Sequence, residues 1–267
     1  MDGVELRGEI LEVLERQRRS RARSVFAGQG GERGGGETNG GEGAAQAHLC
    51  KLPAVDVIVE AAVETLEAAL AAAEGGARRI ELCADLAHRG ITPDIELLRD
   101  SVSRLPIPVF VLVRPRAGDF VYTDAEHRTM LEQIGQAKRA GARGIVTGAL
   151  TAQREIDQNR TAELIAAARP LPVTFHRAFD ECPDLARALE ILIHLGVERV
   201  LTSGGARTAA DGVDQIGRLV KQAQGRIEIM PGGGIDAGNV RQIVQTGVRE
   251  IHFSVRHAEK VRGVLAS

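Results

Sequence analysis

Three polar side chains of different chemistry lie near the ends of short apolar runs in this sequence. Glu81 stands in the run RRIELC, Arg114 ends the run VFVLVR, and His176 ends the run LPVTFH. A carboxylate, a guanidinium and an imidazole can together perform acid/base chemistry on a bound anion. We therefore take Glu81, Arg114 and His176 as candidate catalytic residues, provided that the fold brings them together.

Two glycine clusters are candidates for holding an anion. Gly204 and Gly205 end the segment TSGG, and Gly232, Gly233 and Gly234 end the segment PGGG. Consecutive amides without side chains suit a phosphate or a carboxylate. The alternative is that both clusters are ordinary tight turns. A cationic side chain for the same anion is available two residues after Arg114, at Arg116.

A soft metal is the third kind of chemistry that the residue types allow. Cu(I) prefers thiolate and thioether ligands and needs two or three of them close together. Cys83 shares a strand face with Glu81, so Cys83 with Met230 or His252 is a candidate Cu(I) site. The alternative is that Cys83 is a small buried hydrophobic residue.

The elements that must position these residues follow a regular alternation. Eight runs rich in β-branched residues occupy 55–60, 78–83, 109–114, 144–149, 171–176, 199–203, 226–231 and 250–254. Helix-period stretches separate them at 63–74, 95–102, 125–140, 160–168, 184–195, 209–223 and 239–246. Eight strand-helix units predict an α/β fold, a (β/α)₈ barrel of the TIM type. An open doubly wound sheet is the alternative, but the GxGxxG segment of a nucleotide cofactor site is missing after the first strand.

In such a barrel the chemistry gathers at the carboxyl ends of the strands, which is where the candidate residues fall. Glu81 and Arg114, on neighbouring strands, could also pair simply as a structural salt bridge. Only thirteen residues follow the eighth strand, so the final helix is predicted to be short. We expect the poorly covered flank of the barrel to be buried in a homo-oligomer.

Composition excludes several classes of function. The 34 Lys and Arg residues nearly balance 36 Asp and Glu residues, and the chain has no Trp and one Tyr. We therefore expect no nucleic-acid partner. Without a long apolar stretch or a secretory signal, we also expect no membrane association. Three widely spaced cysteines indicate reduced thiols and a cytoplasmic location.

The chain divides into two regions of different composition. Residues 1–50 are rich in Arg and Gly, and a stretch of this kind buries too little apolar surface to offset its ordering entropy. We predict a disordered extension over 1–50 and a barrel domain over 51–267.

Several long motifs resemble one known family. The segments RRIELCADL, RPRAGDFVYTD and PVTFHRAFD, in this order, are similar to those of the CutC copper-homeostasis family, and the likeness runs from about Val55 to Ser254. The resemblance implies a TIM-type barrel that is cytoplasmic, often self-associating and involved in copper handling. It implies no established catalytic reaction.

The resemblance also bears on the candidate sites. A cysteine proposed to hold Cu(I) in the family matches Cys83, whereas the second falls in the first strand, where this chain has Ile58. A two-thiolate site is therefore incomplete. Two hypotheses follow: a copper-homeostasis protein with Cu(I) bound at Cys83, or a lyase- or isomerase-like enzyme acting on a small anionic or phosphorylated metabolite. A purely structural or partner-binding barrel is a third.

Overall fold

The computed structural model describes residues 57–254, and within this range eight short strands alternate with helices. The strands are β1 Ile58–Val63, β2 Arg79–Leu82, β3 Val109–Leu112, β4 Gly144–Thr147, β5 Val173–Phe175, β6 Arg199–Thr202, β7 Glu228–Pro231 and β8 Glu250–Ser254. Each predicted run contains or overlaps one of them. The first is the most displaced, because β1 begins three residues later than the run at 55–60.

Seven α-helices follow the strands in the described part of the chain. They are α1 Leu66–Glu74, α2 Ile95–Arg104, α3 Asp124–Arg139, α4 Gln158–Ala168, α5 Leu185–Leu195, α6 Val213–Ala223 and α7 Val240–Val244. Two 3₁₀ helices, Leu86–His88 and Arg177–Glu181, follow β2 and β5. The predicted extension 1–50 and the predicted short final helix lie outside the described residues.

The strands form one parallel sheet that curls almost completely into a barrel. Their order is β7-β6-β5-β4-β3-β2-β1-β8, and β1 pairs in parallel with both β2 and β8. A single parallel bridge between Gly232 and His252 joins β7 to β8. This ring of pairings confirms the barrel and excludes the open doubly wound sheet.

Local signals in the sequence set several helix ends. Thr123 begins α3 with a capping box, since its hydroxyl accepts from the Glu126 amide and the Glu126 carboxylate accepts from the Thr123 amide. Helix α6 instead begins at Val213, four residues later than predicted. The residue before it is Gly212, where a Cβ would lie 1.9 Å from the carbonyl oxygen of Ser203, so only glycine fits at the start of this helix.

Period-two alternation divides the strand residues between two environments. On β2, Ile80 and Leu82 point to the helices and are fully buried in the main apolar core, whereas Arg79, Glu81 and Cys83 point into the barrel. The barrel interior therefore holds the charged groups from which a site can be built.

None of the helices in residues 57–254 combines the length and apolar character needed to cross a bilayer.

Candidate functional site

A cavity of about 520 Å³ opens at the carboxyl ends of the strands. Of the residues singled out in the sequence, seven line it: Glu81, Arg114, His176, Gly205, Gly233, Gly234 and His252. Residues from β2, β3, β5, β6, β7 and β8 and their loops thus meet around one space, as the barrel architecture predicts. Cys83, Arg116, Gly204, Met230 and Gly232 are not among the lining residues.

Glu81 lies at the floor of this cavity with one oxygen unsatisfied. The residue is 5 % exposed, and its Oε2 has no hydrogen-bond partner in the structure. His252 Nδ1 lies 3.7 Å from that oxygen. Burial raises the pKa of Glu81 to about 7, although the neighbouring His252 charge opposes the rise. Glu81 can therefore take up or release a proton near neutral pH.

His252 is held in place by Glu60 from the adjacent strand. Nδ1 of His252 and Oε1 of Glu60 are 2.8 Å apart, and both side chains are buried. Burial opposes the charged imidazole, but the hydrogen bond to Glu60 and the nearby carboxylates outweigh it and raise the pKa of His252. The same hydrogen bond, together with the charge of Arg79, lowers the pKa of Glu60 to about 2 despite its burial. His252 is thus fixed beside Glu81 in surroundings that favour its charged form.

His176 lines the cavity with a neutral ring. The Ala178 amide donates to His176 Nδ1 over 3.3 Å, which leaves the proton of a neutral ring on Nε2. Nε2 is buried and has no hydrogen-bond partner in the structure. Burial, with the charge of Arg114, lowers the pKa of His176 to about 3. The ring is therefore a neutral donor and not a general base.

The alternative of a structural salt bridge between Glu81 and Arg114 is wrong. The Arg114 guanidinium donates to the carbonyls of Gly90 (2.8 Å) and Gly118 (2.7 Å), as well as that of His88 (3.1 Å), and it lies 4.8 Å from the centre of the Phe120 ring. The loops that follow β2 and β3 supply these carbonyls, so they satisfy Arg114 in place of a carboxylate. Its Nε is buried and unpartnered, and Arg114 lines the cavity as a buried cation without an acidic partner among the described residues.

A second polar layer, which the sequence analysis missed, lies deeper in the barrel. Arg79 pairs with Glu60 and Glu250, and Arg199 pairs with Glu250, in each case between buried side chains. We call Glu60, Arg79, Arg199 and Glu250 the ionic layer. The signal was present, because Arg79 shares the inward face of β2 with Glu81, but it lies at the amino end of the strand, where no chemistry was expected.

The two sulfur-bearing candidates for Cu(I), Cys83 and Met230, each contact a different group in the structure. Cys83 is fully buried against Ala62, Phe110 and Leu112, and its thiol donates to the carbonyl of Val63 over 3.4 Å. Burial raises the pKa of this thiol, which disfavours the thiolate that copper requires. The Met230 sulfur instead accepts a hydrogen bond from Arg79 in the ionic layer.

The candidate anion-binding residues separate into two groups. Arg116 pairs with Asp119 and Glu126, away from the cavity. The amide of Gly204 donates to Thr202 Oγ1, and the amide of Gly205 donates to Asp180 Oδ1 at 3.0 Å. Gly232 donates its amide to the carbonyl of Thr202. Those amides therefore already have partners, and the Gly233 amide faces the His252 carbonyl in the bridge between β7 and β8. The Gly234 amide has no hydrogen-bond partner among residues 57–254, and Gly234 lines the cavity.

Comparison with known proteins agrees with this architecture. The model of the CutC family matches residues 57–257. The chain belongs to the CutC family. It is 48 % identical over 200 residues to the copper homeostasis protein cutC homolog of Homo sapiens, covering 74 % of this chain and 73 % of the human protein.

Other CutC proteins are similar over the same region. The family protein CutC of Glaesserella parasuis is 48 % identical, covering 74 % of this chain and 82 % of that protein. The crystal structure of CutC from Streptococcus agalactiae superposes with a TM-score of 0.71 at 35 % identity, covering 74 % of this chain and 98 % of the other. The CutC likeness therefore spans the barrel and all of its candidate residues.

One cluster in the described part of this CutC barrel has the composition of a metal site. Ligand atoms of Glu60, Glu81 and His252 all lie within 4.8 Å of one another. Two carboxylates and one imidazole suit a divalent ion better than Cu(I), which prefers sulfur ligands. Glu60 is already neutralised by Arg79, however, and the hydrogen bond between Glu60 and His252 uses the Nδ1 position. Of the three residues, Glu81 alone keeps an oxygen without a hydrogen-bond partner in the structure.

Proposed function

We propose that this CutC-family protein serves in copper homeostasis, the role for which its relatives are named, and that its barrel acts there as an acid/base enzyme on a small anionic metabolite. One observation supports the enzymatic part above all others. Glu81 Oε2, Arg114 Nε and His176 Nε2 are buried, lack hydrogen-bond partners and belong to residues that line one cavity. Leaving three such groups unsatisfied is costly unless a ligand completes them.

The three groups match the needs of proton abstraction next to a carbonyl. Glu81 takes the proton from carbon, and the electron pair of the broken C–H bond moves into the carbonyl to form an enolate. His176 donates its Nε2 hydrogen bond to the enolate oxygen, as a neutral imidazole does without giving up its proton. The positive charge of Arg114 stabilises the same developing anion. Return of the proton to a neighbouring carbon completes an isomerisation, and expulsion of a leaving group completes a lyase reaction.

Glu60 and His252 prepare Glu81 for this role without touching the substrate's reacting carbon. The imidazolium of His252 limits the rise in the pKa of Glu81, and Glu60 keeps that imidazolium charged and oriented. A base with a pKa near 7 is well matched to proton transfer at neutral pH.

Hydrogen exchange into candidate substrates tests the proposal directly. The protein is incubated in D₂O with a panel of small keto acids, hydroxy ketones and phosphosugars, and loss of a C–H signal is followed by NMR. We expect exchange in at least one compound and its loss in Glu81→Gln, while Glu190→Gln, on the exposed surface of α5, exchanges normally. Absence of exchange across the panel, or equal exchange by Glu81→Gln, would overturn the enzymatic part.

Cu(I) binding at Cys83 is the second candidate function, and membership of the CutC family favours it. Cys83 directly follows β2, and its side chain is on the same side of the sheet as that of Glu81. Anaerobic Cu(I) titration against a competing chelator compares the wild type with Cys83→Ser, using Cys182→Ser as the matched control. Binding that is lost only in Cys83→Ser would support this candidate, and identical binding by all three proteins would remove it.

Two further features belong to the same proposal. Cys83 and Cys182 are both free thiols, which fits a reducing cytoplasm. We also propose a homo-oligomer, because self-association is what the likeness to the CutC family implies. Sedimentation velocity of the full chain tests the assembly, and a purely monomeric species at micromolar concentration contradicts it.

A further inference from the structure

The loop after β6 already contains an anion, and that anion is part of the protein. The carboxylate of Asp180 accepts hydrogen bonds from the amides of Ser203 and Gly205, each at 3.0 Å, and from the hydroxyl of Ser203 at 2.9 Å. Asp180 therefore fills the glycine loop that would otherwise be open to a ligand. An exogenous anion has to bind elsewhere at the mouth.

Asp180 also holds Arg177 in a fixed position. Arg177 Nε donates to Asp180 at 2.8 Å, and Nη2 donates to the Ser203 hydroxyl at 2.6 Å. The remaining nitrogen, Nη1, faces the loop after β7, since a Cβ at Gly233 would lie 2.9 Å from it. The guanidinium is thereby oriented before any ligand arrives.

The loop after β7 supplies a complementary donor beside Arg177. Gly233 and Gly234 have φ angles of +101° and +70°, which only glycine adopts readily. The Gly233 amide faces the His252 carbonyl in the bridge between β7 and β8, whereas the Gly234 amide has no hydrogen-bond partner within the described range. The absence of side chains lets a ligand approach the backbone closely, so Arg177 Nη1 and the Gly234 amide lie at one corner of the cavity.

The charge around this cavity favours an anionic ligand. Arg207 also lines the cavity, is exposed and forms no ion pair with another residue in 57–254. Deeper in the same cavity, Arg114 donates to backbone carbonyls and contacts the Phe120 ring, and no carboxylate of the described residues pairs with it. Arginines outnumber carboxylates in the lining by four to three: Arg89, Arg114, Arg177 and Arg207 against Glu81, Asp180 and Glu181.

We propose that this corner binds the phosphate group of a phosphomonoester, held by Arg177, Arg207 and the amide of Gly234. The inference rests on the proposed function, since it names the substrate class of the same cavity as small phosphorylated carbonyl compounds. The three terminal oxygens of a phosphate match the two guanidinium groups and the amide, and its negative charge matches the excess of arginines.

Binding of simple probes tests the corner without any knowledge of the substrate. Calorimetric titration of the full chain with inorganic phosphate and glycerol 3-phosphate is compared with lactate and glycerol at constant ionic strength. We expect both phosphate compounds to bind more tightly than lactate, and glycerol not to bind. Arg177→Gln should weaken phosphate binding about tenfold or more, because a charge-assisted contact is lost.

Matched variants separate a local effect from general damage. Arg187→Gln removes an exposed arginine of α5 outside the cavity and should bind phosphate like the wild type. Arg207→Gln, whose side chain has no structural partner among the described residues, should weaken binding even if Arg177→Gln folds poorly. Phosphate binding no tighter than lactate binding, or unchanged by both variants, overturns the inference.

The outcome is independent of the chemistry assigned to Glu81. Glu81→Gln should retain phosphate binding while it loses hydrogen exchange into carbonyl compounds. Exchange without phosphate selectivity would reject the phosphate corner alone, and phosphate binding without exchange would reject the proposed proton abstraction alone.

Discussion

Two polar layers share the interior of one barrel, and they differ in whether their groups are satisfied. In the ionic layer, Arg79 and Arg199 each pair with a carboxylate that has been taken out of water. At the cavity above it, Glu81 and His176 each keep a buried atom without a partner. The difference shows that burial of charge alone does not mark a site. The cavity residues, which keep unpartnered atoms, are arranged to receive a ligand, and the ionic layer is not.

The largest loss of stability is expected when the central cation of the ionic layer, Arg79, is removed. Arg79→Met leaves Glu60 and Glu250 buried without their shared partner. Loss of one member of a buried pair costs about 3 to 5 kcal/mol, so we expect a decrease of that size in the free energy of unfolding. Urea denaturation at neutral pH measures it, because urea adds no ionic screening.

A surface ion pair gives the matched control for this variant. Arg226 pairs with Glu190 on the exposed side of the helices, where water already solvates both charges. Arg226→Met should therefore lower the unfolding free energy far less than Arg79→Met does. Equal losses in the two variants would show that the ionic layer contributes no more than a surface pair.

In the cavity, by contrast, removing the charge of Glu81 should raise the free energy of unfolding. The pKa of Glu81 is about 7 against an ordinary 4.5, so the folded protein binds this proton more tightly than the unfolded chain. Ionisation of Glu81 therefore lowers stability as the pH rises from 4.5 to 7, by roughly 3 kcal/mol in total. Glu81→Gln removes this cost, and its stability relative to wild type should improve by about that amount between pH 4.5 and pH 8.

Urea denaturation of both proteins across this pH range measures the difference, and Glu60→Gln provides the contrast. The pKa of Glu60 is lowered to about 2, so its carboxylate contributes stability that is present above pH 4.5 and is lost as the pH falls through 2. Glu60→Gln should thus be destabilising at neutral pH. A stability difference between Glu81→Gln and wild type that stays constant with pH would contradict the assignment of Glu81.

The sequence predicted the architecture well because the fold depends on patterns that are local. Alternation on β2 placed Glu81 inside the barrel, and the eight strand runs predicted the closed sheet. Helix α6 was predicted to begin four residues too early, because the apolar spacing from 209 does not reveal the turn that precedes Val213.

The pairings inside the site depend on the stagger between strands and on loop paths, so the sequence could not determine them. Register places Glu60 opposite both Arg79 and His252, a relation that no local pattern contains. Loop carbonyls take the place of Glu81 as partners of Arg114. Asp180, from the loop after β5, fills the glycine loop after β6 that the sequence assigned to an external anion.

The smallest effect is expected at the mouth of the cavity, where a third kind of ion pair lies in water. Arg89 and Glu181 are joined at 3.1 Å, with 70 % of the Arg89 side chain exposed. Because solvent screens this pair, Arg89→Gln should change the free energy of unfolding by less than about 1 kcal/mol. The same urea titration measures it, and adding 0.5 M sodium chloride should remove what remains of the difference, since salt of that strength screens exposed charges within a few ångströms. A loss of unfolding free energy as large as that of Arg79→Met would mean that this exposed pair stabilises the barrel as much as the ionic layer does. The contrast between buried and solvated ion pairs would then be wrong.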